Sequence, residues 1–399
     1  MIFESVPLSE VADILMGYPF ESEQYNNNGL GIRLARGMNI GSGNFNWDEN
    51  SRWWNNLSDD LHSYYLQEGD IVIGMDGSRV GKNYAQVCKE DLPLLLVQRV
   101  ACIRAKPGIS QDFLWACIAS KNFEAYIDLI KTGTTIPHIS GKQIGEYPIP
   151  LVSEDEQQFI GRVSAALIRK IRLNTQINAN LIERINTMFN NWMYAHSSIS
   201  KDSSDSNSWH IGSIYEFLKI TYGAPFSSNL FNSESRGCPL IRIRDLKTNL
   251  PQIYTDENHP KQTVVSPGDI LVGMDAEFKP YVWLGKTGVL NQRIAKIDSI
   301  LDGVCDYLIM LLIRPELEFI ESYKTGTTVS HIGKEDFDQM KVVVPSCEDM
   351  ISFSSTIKPM YDLIVELGEE KMILEELRDT LLPRLISGEI DVSNLPLPD

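Results

Sequence analysis

Hydrophobic positions along the chain fall into two successive cycles of one pattern. Each cycle opens with short apolar runs of strand period, passes into a longer apolar stretch of helical period, and ends on a polar loop and a Pro-ended apolar triplet. In the first cycle Arg33-Leu34-Ala35-Arg36, residues 71–74 and Val97-Gln98-Arg99-Val100-Ala101 read as strands, and Phe113 to Ile130 as helical. In the second, Arg242-Ile243-Arg244, residues 270–273 and Asn291-Gln292-Arg293-Ile294-Ala295 read as strands, and Val304 to Tyr323 as helical. The arginines of the first pair of runs are predicted to point outward.

The cycles share residues as well as pattern. Gly17-Tyr18-Pro19-Phe20-Glu21-Ser22 matches Gly223-Ala224-Pro225-Phe226-Ser227-Ser228, and Gly69-Asp70-Ile71-Val72-Ile73-Gly74-Met75-Asp76 matches Gly268-Asp269-Ile270-Leu271-Val272-Gly273-Met274-Asp275. The element Lys131-Thr132-Gly133-Thr134-Thr135-Ile136-Pro137-His138-Ile139 returns as Lys324-Thr325-Gly326-Thr327-Thr328-Val329-Ser330-His331-Ile332. Spacing between matched motifs drifts, as expected of a duplicated frame whose loops differ in length.

A long amphipathic segment follows each cycle, at 154–196 and 348–387. Ile160, Leu167, Asn174, Leu181 and Met188 recur every seventh residue in the first; Met360, Leu367, Leu374 and Leu381 do so in the second, with Leu363 and Leu377 beside them. Two such heptad segments predict an antiparallel coiled coil, with a spacer on the order of 60 Å long if its first helix is unbroken. Pro359 is expected to break the second helix near its start. Asn174 and Asn178 are candidates for a polar layer that fixes register, so Asn174→Leu is expected to stabilise the pair while blurring its alignment. The expected fold class is α+β. Residues 1–152 form a first mixed α/β domain, 153–196 a spacer helix, 197–208 a Ser-rich flexible linker, 209–345 a second domain, 346–390 a second spacer helix and 391–399 an extended tail.

Composition narrows the class. Among 399 residues, 43% are apolar, enough for ordinary globular cores. No apolar stretch approaches the roughly 20 residues of a membrane span, and the first residues lack a secretory pattern, so a cytoplasmic, non-membrane protein is expected. Six cysteines without Cys-x-x-Cys spacing suggest neither disulfides nor zinc. The net charge of −17 argues against a wholly basic nucleic-acid binder. The excess is uneven, with four cationic and 12 acidic side chains in residues 346–399. A local basic surface, or positive partner subunits, remains compatible with DNA.

Candidate contacts follow from residue type. The loop after residue 76 carries Arg79, Lys82, Asn83 and Tyr84, and its counterpart carries Lys279 and Tyr281; Arg, Lys and Asn are side chains that read base edges. Lys131, Thr134, Thr135 and His138, with Lys324, Thr327, Thr328 and His331, are suited to phosphate, and Arg33, Arg36, Arg242 and Arg244 are further candidates for DNA contact, or else exposed strand positions. The cluster Trp47, Trp53 and Trp54 reads as a small core under a long loop. Asp76 and Asp275 read as turn carboxylates rather than metal ligands. Glu369-Glu370-Lys371 with Asp362 mimics a nuclease pattern, but its heptad setting makes it a solvated charge run. The sequence holds no Asn/Asp-Pro-Pro-aromatic run for amino methylation and no Gly-rich phosphate loop.

With the duplicated Gly-Asp-Ile-x-x-Gly-Met-Asp-like and Thr-Gly-Thr-Thr elements in view, the chain resembles the DNA-specificity subunit of type I restriction-modification systems. Glu154-Asp155-Glu156-Gln157-Gln158 at the first long helix and Leu377-Arg378-Asp379-Thr380-Leu381-Leu382-Pro383-Arg384-Leu385-Ile386-Ser387-Gly388-Glu389-Ile390 at the end of the second carry the resemblance further. It implies two target-recognition domains in pseudo-twofold arrangement, each reading half of a bipartite site on double-stranded DNA. The helices would dock methyltransferase subunits, with restriction/translocase subunits joining that core. No catalytic residue and no cofactor is expected in this chain; S-adenosylmethionine, ATP and Mg are expected in the partners. The second helix departs from the family pattern, reading Cys347-Glu348-Asp349-Met350 where a second Glu-Gln-Gln is expected. Two rival readings are the recognition portion of a single-chain methyltransferase-nuclease and a duplicated structural adaptor.

Overall fold

The Pro-ended triplets that close each cycle are strands, and each pairs with the start of its own cycle. Pro148–Pro150 runs antiparallel to Ser5–Pro7, and Lys341–Val344 to His210–Ser213. A computed structural model describes residues 3–56, 58–133, 137–196, 208–324, 331–393 and 395–397. The chain divides into two units: Met1–Arg172 with Ile373–Asp399, and Leu173–Met372. The boundaries fall inside the two long helices rather than at their ends.

Each unit is built on an antiparallel sheet of one topology. In the first, Ala12–Met16, Val100–Ala105, Ile71–Gly74 and Tyr84–Gln86 lie side by side in that order, with Ser42–Gly43 added in parallel at the edge. In the second the order is Leu218–Tyr222, Ile294–Ser299, Ile270–Gly273 and Pro280–Val282. The central strands Ile71–Gly74 and Ile270–Gly273 are buried on both faces, which explains why they read as unbroken apolar runs. A second sheet in each unit contains a parallel pair, Ile32–Ala35 with Leu94–Leu96 and Cys238–Ile241 with Gly288–Leu290.

Helices cover one face of each main sheet. The expected helix from Phe113 to Ile130 is two, Gln111–Ile118 and Lys121–Ile130. Ser120 separates them: its hydroxyl donates to the Cys117 carbonyl at 2.6 Å and accepts from the Phe123 N–H at 3.3 Å, capping the second helix. The second unit has one helix there, Asp306–Lys324, which runs through Pro315. Trp115, Phe113 and Phe123 are fully buried in the first core, as are Tyr307, Phe217 and Phe337 in the second.

The long helices are Glu154–Ala195 and Cys347–Ile386. Pro359 does not break the second. Ile357, Tyr361 and Ile364 are buried on either side of it, and that packing outweighs the roughly 3 kcal/mol a helical proline costs. Within the second unit the helices run antiparallel, Asn174 meeting Glu370, Asn178 meeting Ile364 and Trp192 stacking on Phe353 at 4.5 Å.

The buried stripe departs from a strict heptad. Ile160, Asn174 and Leu367 are buried, whereas Leu167, Leu181, Met188, Met360, Leu374 and Leu381 are half-buried. Burial moves onto Ile185 and Phe189, and onto Leu382, Leu385 and Ile386, while Leu363 and Leu377 are exposed. A straight helix drifts about 20° per heptad, and these helices pack against globular cores as well as each other.

The tail is not simply extended, since Val392 packs into the first core and the Leu395 N–H bonds the Val392 carbonyl at 3.0 Å. The Ser-rich linker at 197–207 lies outside the described residues. No helix among the described residues is long and apolar enough to cross a membrane.

Candidate nucleic-acid interface

Four motifs separated by up to about 120 residues of chain meet at one turn in each unit. In the first unit the Met75 N–H donates to the Arg99 carbonyl at 2.9 Å, while the Met75 carbonyl accepts from the Ile139 N–H at 2.8 Å. In the second, Met274 donates to Arg293 at 2.9 Å and accepts from Ile332 at 2.9 Å. Asp76 pairs with His138 and Asp275 with His331 as isolated antiparallel bridges. The repeated Gly-Met-Asp segment and the repeated His-Ile pair are thus two sides of one junction.

The Gly-x-Pro-Phe motif holds the same turn from the other side. The Gly17 N–H donates to Val100 and the Gln98 N–H to Tyr18, at 3.0 and 2.8 Å; Gly223 to Ile294 and Gln292 to Ala224 repeat both distances. A Cβ on Gly17 would lie 2.0 Å from the Val97 carbonyl oxygen, and one on Gly223 2.0 Å from that of Asn291. Only glycine fits there.

Gln98-Arg99 and Gln292-Arg293 are therefore tight turns, not the strands expected from alternation; the strands begin at Val100 and Ile294. Arg99 has φ 66° and Arg293 φ 72°, a left-handed conformation that costs a residue with a Cβ roughly 1–2 kcal/mol. Both side chains are exposed. The matched Gln-Arg pairs were the available signal, but apolar neighbours on both sides disguised the turn.

Loop 77–82 is a rigid presentation of two cations. Val80 is buried, and Gly81, at φ 88°, approaches Ile127 so closely that a Cβ would lie 2.8 Å from it. Arg79 and Lys82 on either side of these anchors are exposed. Asn83 and Tyr84 are not available for contact, contrary to expectation. With its amide turned to donate, Asn83 reaches the carbonyls of Gly74 at 3.1 Å and Arg79 at 2.9 Å and so braces the loop from below. Tyr84 is 3% exposed and packs edge-on against Trp115, and burial raises its phenol pKa.

The counterpart loop is pinned differently. Phe278 is fully buried and its N–H donates to Glu321 at 2.9 Å. Lys279 is exposed, 3.3 Å from Glu277. Tyr281 is half-buried in the strand Pro280–Val282, its pKa raised first by burial and then by Glu277.

Three of the four candidate strand arginines are engaged by the fold. Arg33 lies 4.6 Å from the Trp47 ring centre, and Arg36 donates to the Asn50 carbonyl at 3.1 Å, with its pKa lowered chiefly by burial. Arg242 is 3.4 Å from the buried Asp245 carboxylate. Arg244 is exposed, but on the helical turn Ile243–Leu246, not on a strand. The tryptophans belong to small cores: Trp47 stacks on Phe45 and donates to Asp91 at 2.8 Å, and Trp54 is buried against Phe20.

At the two junctions Lys131 pairs with Asp128 at 2.6 Å, and Lys324 with Asp336 at 2.6 Å and with the His331 carbonyl at 3.1 Å. The His138 ring nitrogen Nε2 lies 3.1 Å from the Thr132 hydroxyl, and both His138 and His331 are exposed. Thr134, Thr135, Thr327 and Thr328 lie outside the described residues. Among the described residues no group of three or more His, Cys, Asp or Glu is placed to hold a metal.

Residues 3–183 and 207–371 each match the family model described as the type I restriction modification DNA specificity domain. The chain belongs to that family. Its two specificity-domain matches begin near the starts of the two sequence cycles. Among curated relatives, the type I restriction enzyme MjaIX specificity subunit of Methanocaldococcus jannaschii is 23% identical over 341 residues, covering 80% of this chain and 77% of that one. The EcoAI specificity subunit of Escherichia coli is 36% identical over 156 residues, 38% of this chain and 26% of its own. The crystal structure of a type I restriction-modification S subunit from M. genitalium shares the fold, with TM-score 0.57 at 15% identity over 96% of both chains.

Proposed function

We propose that this specificity-family chain reads a bipartite DNA site, one half with each unit, as the non-catalytic targeting subunit of a type I restriction-modification complex. The observation that carries the reading is the duplication itself: two specificity-domain matches fall on two units with the same sheet order and the same four-motif junction. Two similar readers suit two half-sites, and loops that differ between them suit halves of different sequence.

Arg79 and Lys82 in the first unit, and Lys279 in the second, are the proposed groove-facing side chains. They are exposed cations on loops whose neighbours are buried, so the loop need not order on binding. Lys131, His138, Arg244, Lys324 and His331 are proposed to contact the sugar-phosphate backbone around them. Arg33, Arg36, Arg242 and Tyr281 are half-buried and are assigned no DNA contact.

Methyltransferase subunits are proposed to dock on the exposed faces of the two long helices, and restriction/translocase subunits to join through them. Methyl transfer, ATP use and cleavage would then belong to those partners. Mapping methylated bases in host DNA with the gene for this chain present and deleted tests the reading. A two-part motif that disappears on deletion supports it, and an unchanged methylation pattern overturns it.

A further inference from the structure

The Gln98-Arg99 and Gln292-Arg293 turns are the place where folding and function pull apart. Each arginine occupies a left-handed backbone position, φ 66° and 72°, where glycine would be the unstrained choice. The main chain of each turn is held by the same hydrogen bonds, from Met75 or Met274 and to Tyr18 or Ala224. None of these bonds uses the arginine side chain. Those side chains are exposed in both units, so burial does not account for their being arginine.

We infer that Arg99 and Arg293 are equivalent phosphate-binding side chains, one for each half-site, an inference that rests on the DNA-reading function proposed above. Their assignment to phosphate rather than bases follows from the repeat. The loops at 77–82 and 276–280 differ in length, charge and anchoring, as readers of different sequences must. The Gln-Arg turn, its hydrogen bonds and its backbone angles are the same in both units. Two half-sites of different sequence have only the sugar-phosphate backbone in common, and an invariant contact in both readers is matched to that invariant feature.

The surroundings agree. Arg99 borders an open groove of about 830 Å³ that is also lined by Lys106, His138 and Lys142, together with the acidic Asp13 and Glu146. Arg293 lies 4.0 Å from the Asp275 carboxylate with about half its side chain exposed, an arrangement that orients the guanidinium without burying it. A guanidinium offers a planar pair of donors to a phosphate. Held on a turn braced by three other segments, it costs little ordering on binding.

The test uses the full chain in complex with its methyltransferase subunits, on duplexes with and without the methylated motif, across a salt titration. Arg99→Gly and Arg293→Gly remove the side chain and relieve the left-handed strain, so each should melt no lower than the parent. Each should weaken binding to both duplexes by the same factor, about tenfold near 0.1 M salt, and flatten the salt slope by about 0.9. The methylated motif should not change, and Arg99→Lys or Arg293→Lys should recover part of the loss. Unchanged affinity and slope in the glycine variants, with the parent complex binding normally, overturns the inference and leaves the DNA-reading function intact. An altered base preference at one half-site makes the arginine a base reader and equally overturns it. A parent complex that binds neither duplex overturns both.

Discussion

Asn174 donates its amide to the Glu370 carboxylate at 2.7 Å, and one turn further on Asn178 donates to the Ile364 carbonyl at 3.0 Å. The side-chain oxygens of both asparagines are buried without a hydrogen-bond partner. Such a layer favours one register at a cost in stability. The acidic partner changes the expectation drawn from Asn174 alone. Asn174→Leu removes one donor from Glu370 and buries an apolar side chain against its carboxylate, and should destabilise the second unit by about 1–3 kcal/mol. The double variant Asn174→Leu, Glu370→Leu should regain or exceed the original stability, while cysteine cross-linking between positions 178 and 364 spreads to neighbouring pairs. Cross-linking that stays confined to that pair would count against the register role.

Gly17→Ala and Gly223→Ala each drive a Cβ to 2.0 Å from a carbonyl oxygen. Backbone must shift, and each substitution should cost about 1–3 kcal/mol or more. Because the two glycines serve different units, limited proteolysis should show opening of the substituted unit only. Equal sensitivity of both units would contradict the separate junctions.

Arg79→Ala and Lys82→Ala act on a loop anchored by Val80 and Gly81, so they should leave the unfolding free energy within about 0.5 kcal/mol of the parent. Their effect should fall on one half of the DNA motif, at about 1–3 kcal/mol for a base contact. Methylation-site sequencing reads this directly. Altered preference in both halves would defeat the assignment of one unit to one half-site.

The second unit should carry a pH-dependent clasp. His210 Nδ1 lies 2.9 Å from the Ser208 carbonyl and Nε2 2.8 Å from Glu216. The Ser208 carbonyl and then Glu216 raise the histidine pKa above its ordinary 6.5. Its stabilisation is therefore fully present below about pH 6.5 and fades as pH rises through the elevated value. For Glu216 burial pushes upward, but the His210 and Ser213 hydrogen bonds win and hold it below its ordinary 4.5. That contribution is present above about pH 4.5 and lost as pH falls through the depressed value. Thermal melts of the parent against His210→Gln should differ most between these limits and converge at alkaline pH. A constant difference into the alkaline range would exclude the clasp.

Repetition made much of this molecule legible in its sequence. Among the described residues the matched motifs are structural parts, and the long helices Glu154–Ala195 and Cys347–Ile386 follow the amphipathic segments at 154–196 and 348–387, without the break expected at Pro359. What alternation could not reveal was contact between motifs. Met75, Arg99 and Ile139 are joined by main-chain bonds, which leave no mark on side-chain identity. Arg99 looked like a strand residue because left-handed turns in the interior of an apolar run have no period. Asn83 and Tyr84 looked like readers because their residue types suit bases, yet Gly74 leaves room for one and Trp115 packs the other. Pro359 misled in the opposite sense, because local propensity yields when the turns before and after it are anchored in a core, here by Ile357, Tyr361 and Ile364.

The first unit draws its core from both ends of the chain. Leu382, Leu385, Ile386 and Val392 pack in one cluster with Phe113, Trp115 and Ile160, whereas the second unit is a continuous stretch of residues 173–372. During synthesis the segment that emerges first must therefore wait for residues 382–392 before its core can close. The later segment can complete itself sooner. Any event that stops translation shortly before residue 382 would leave the amino-terminal reader with an open hydrophobic face, and a cell would produce a working pair of readers only from chains carried through to the end of that last helix.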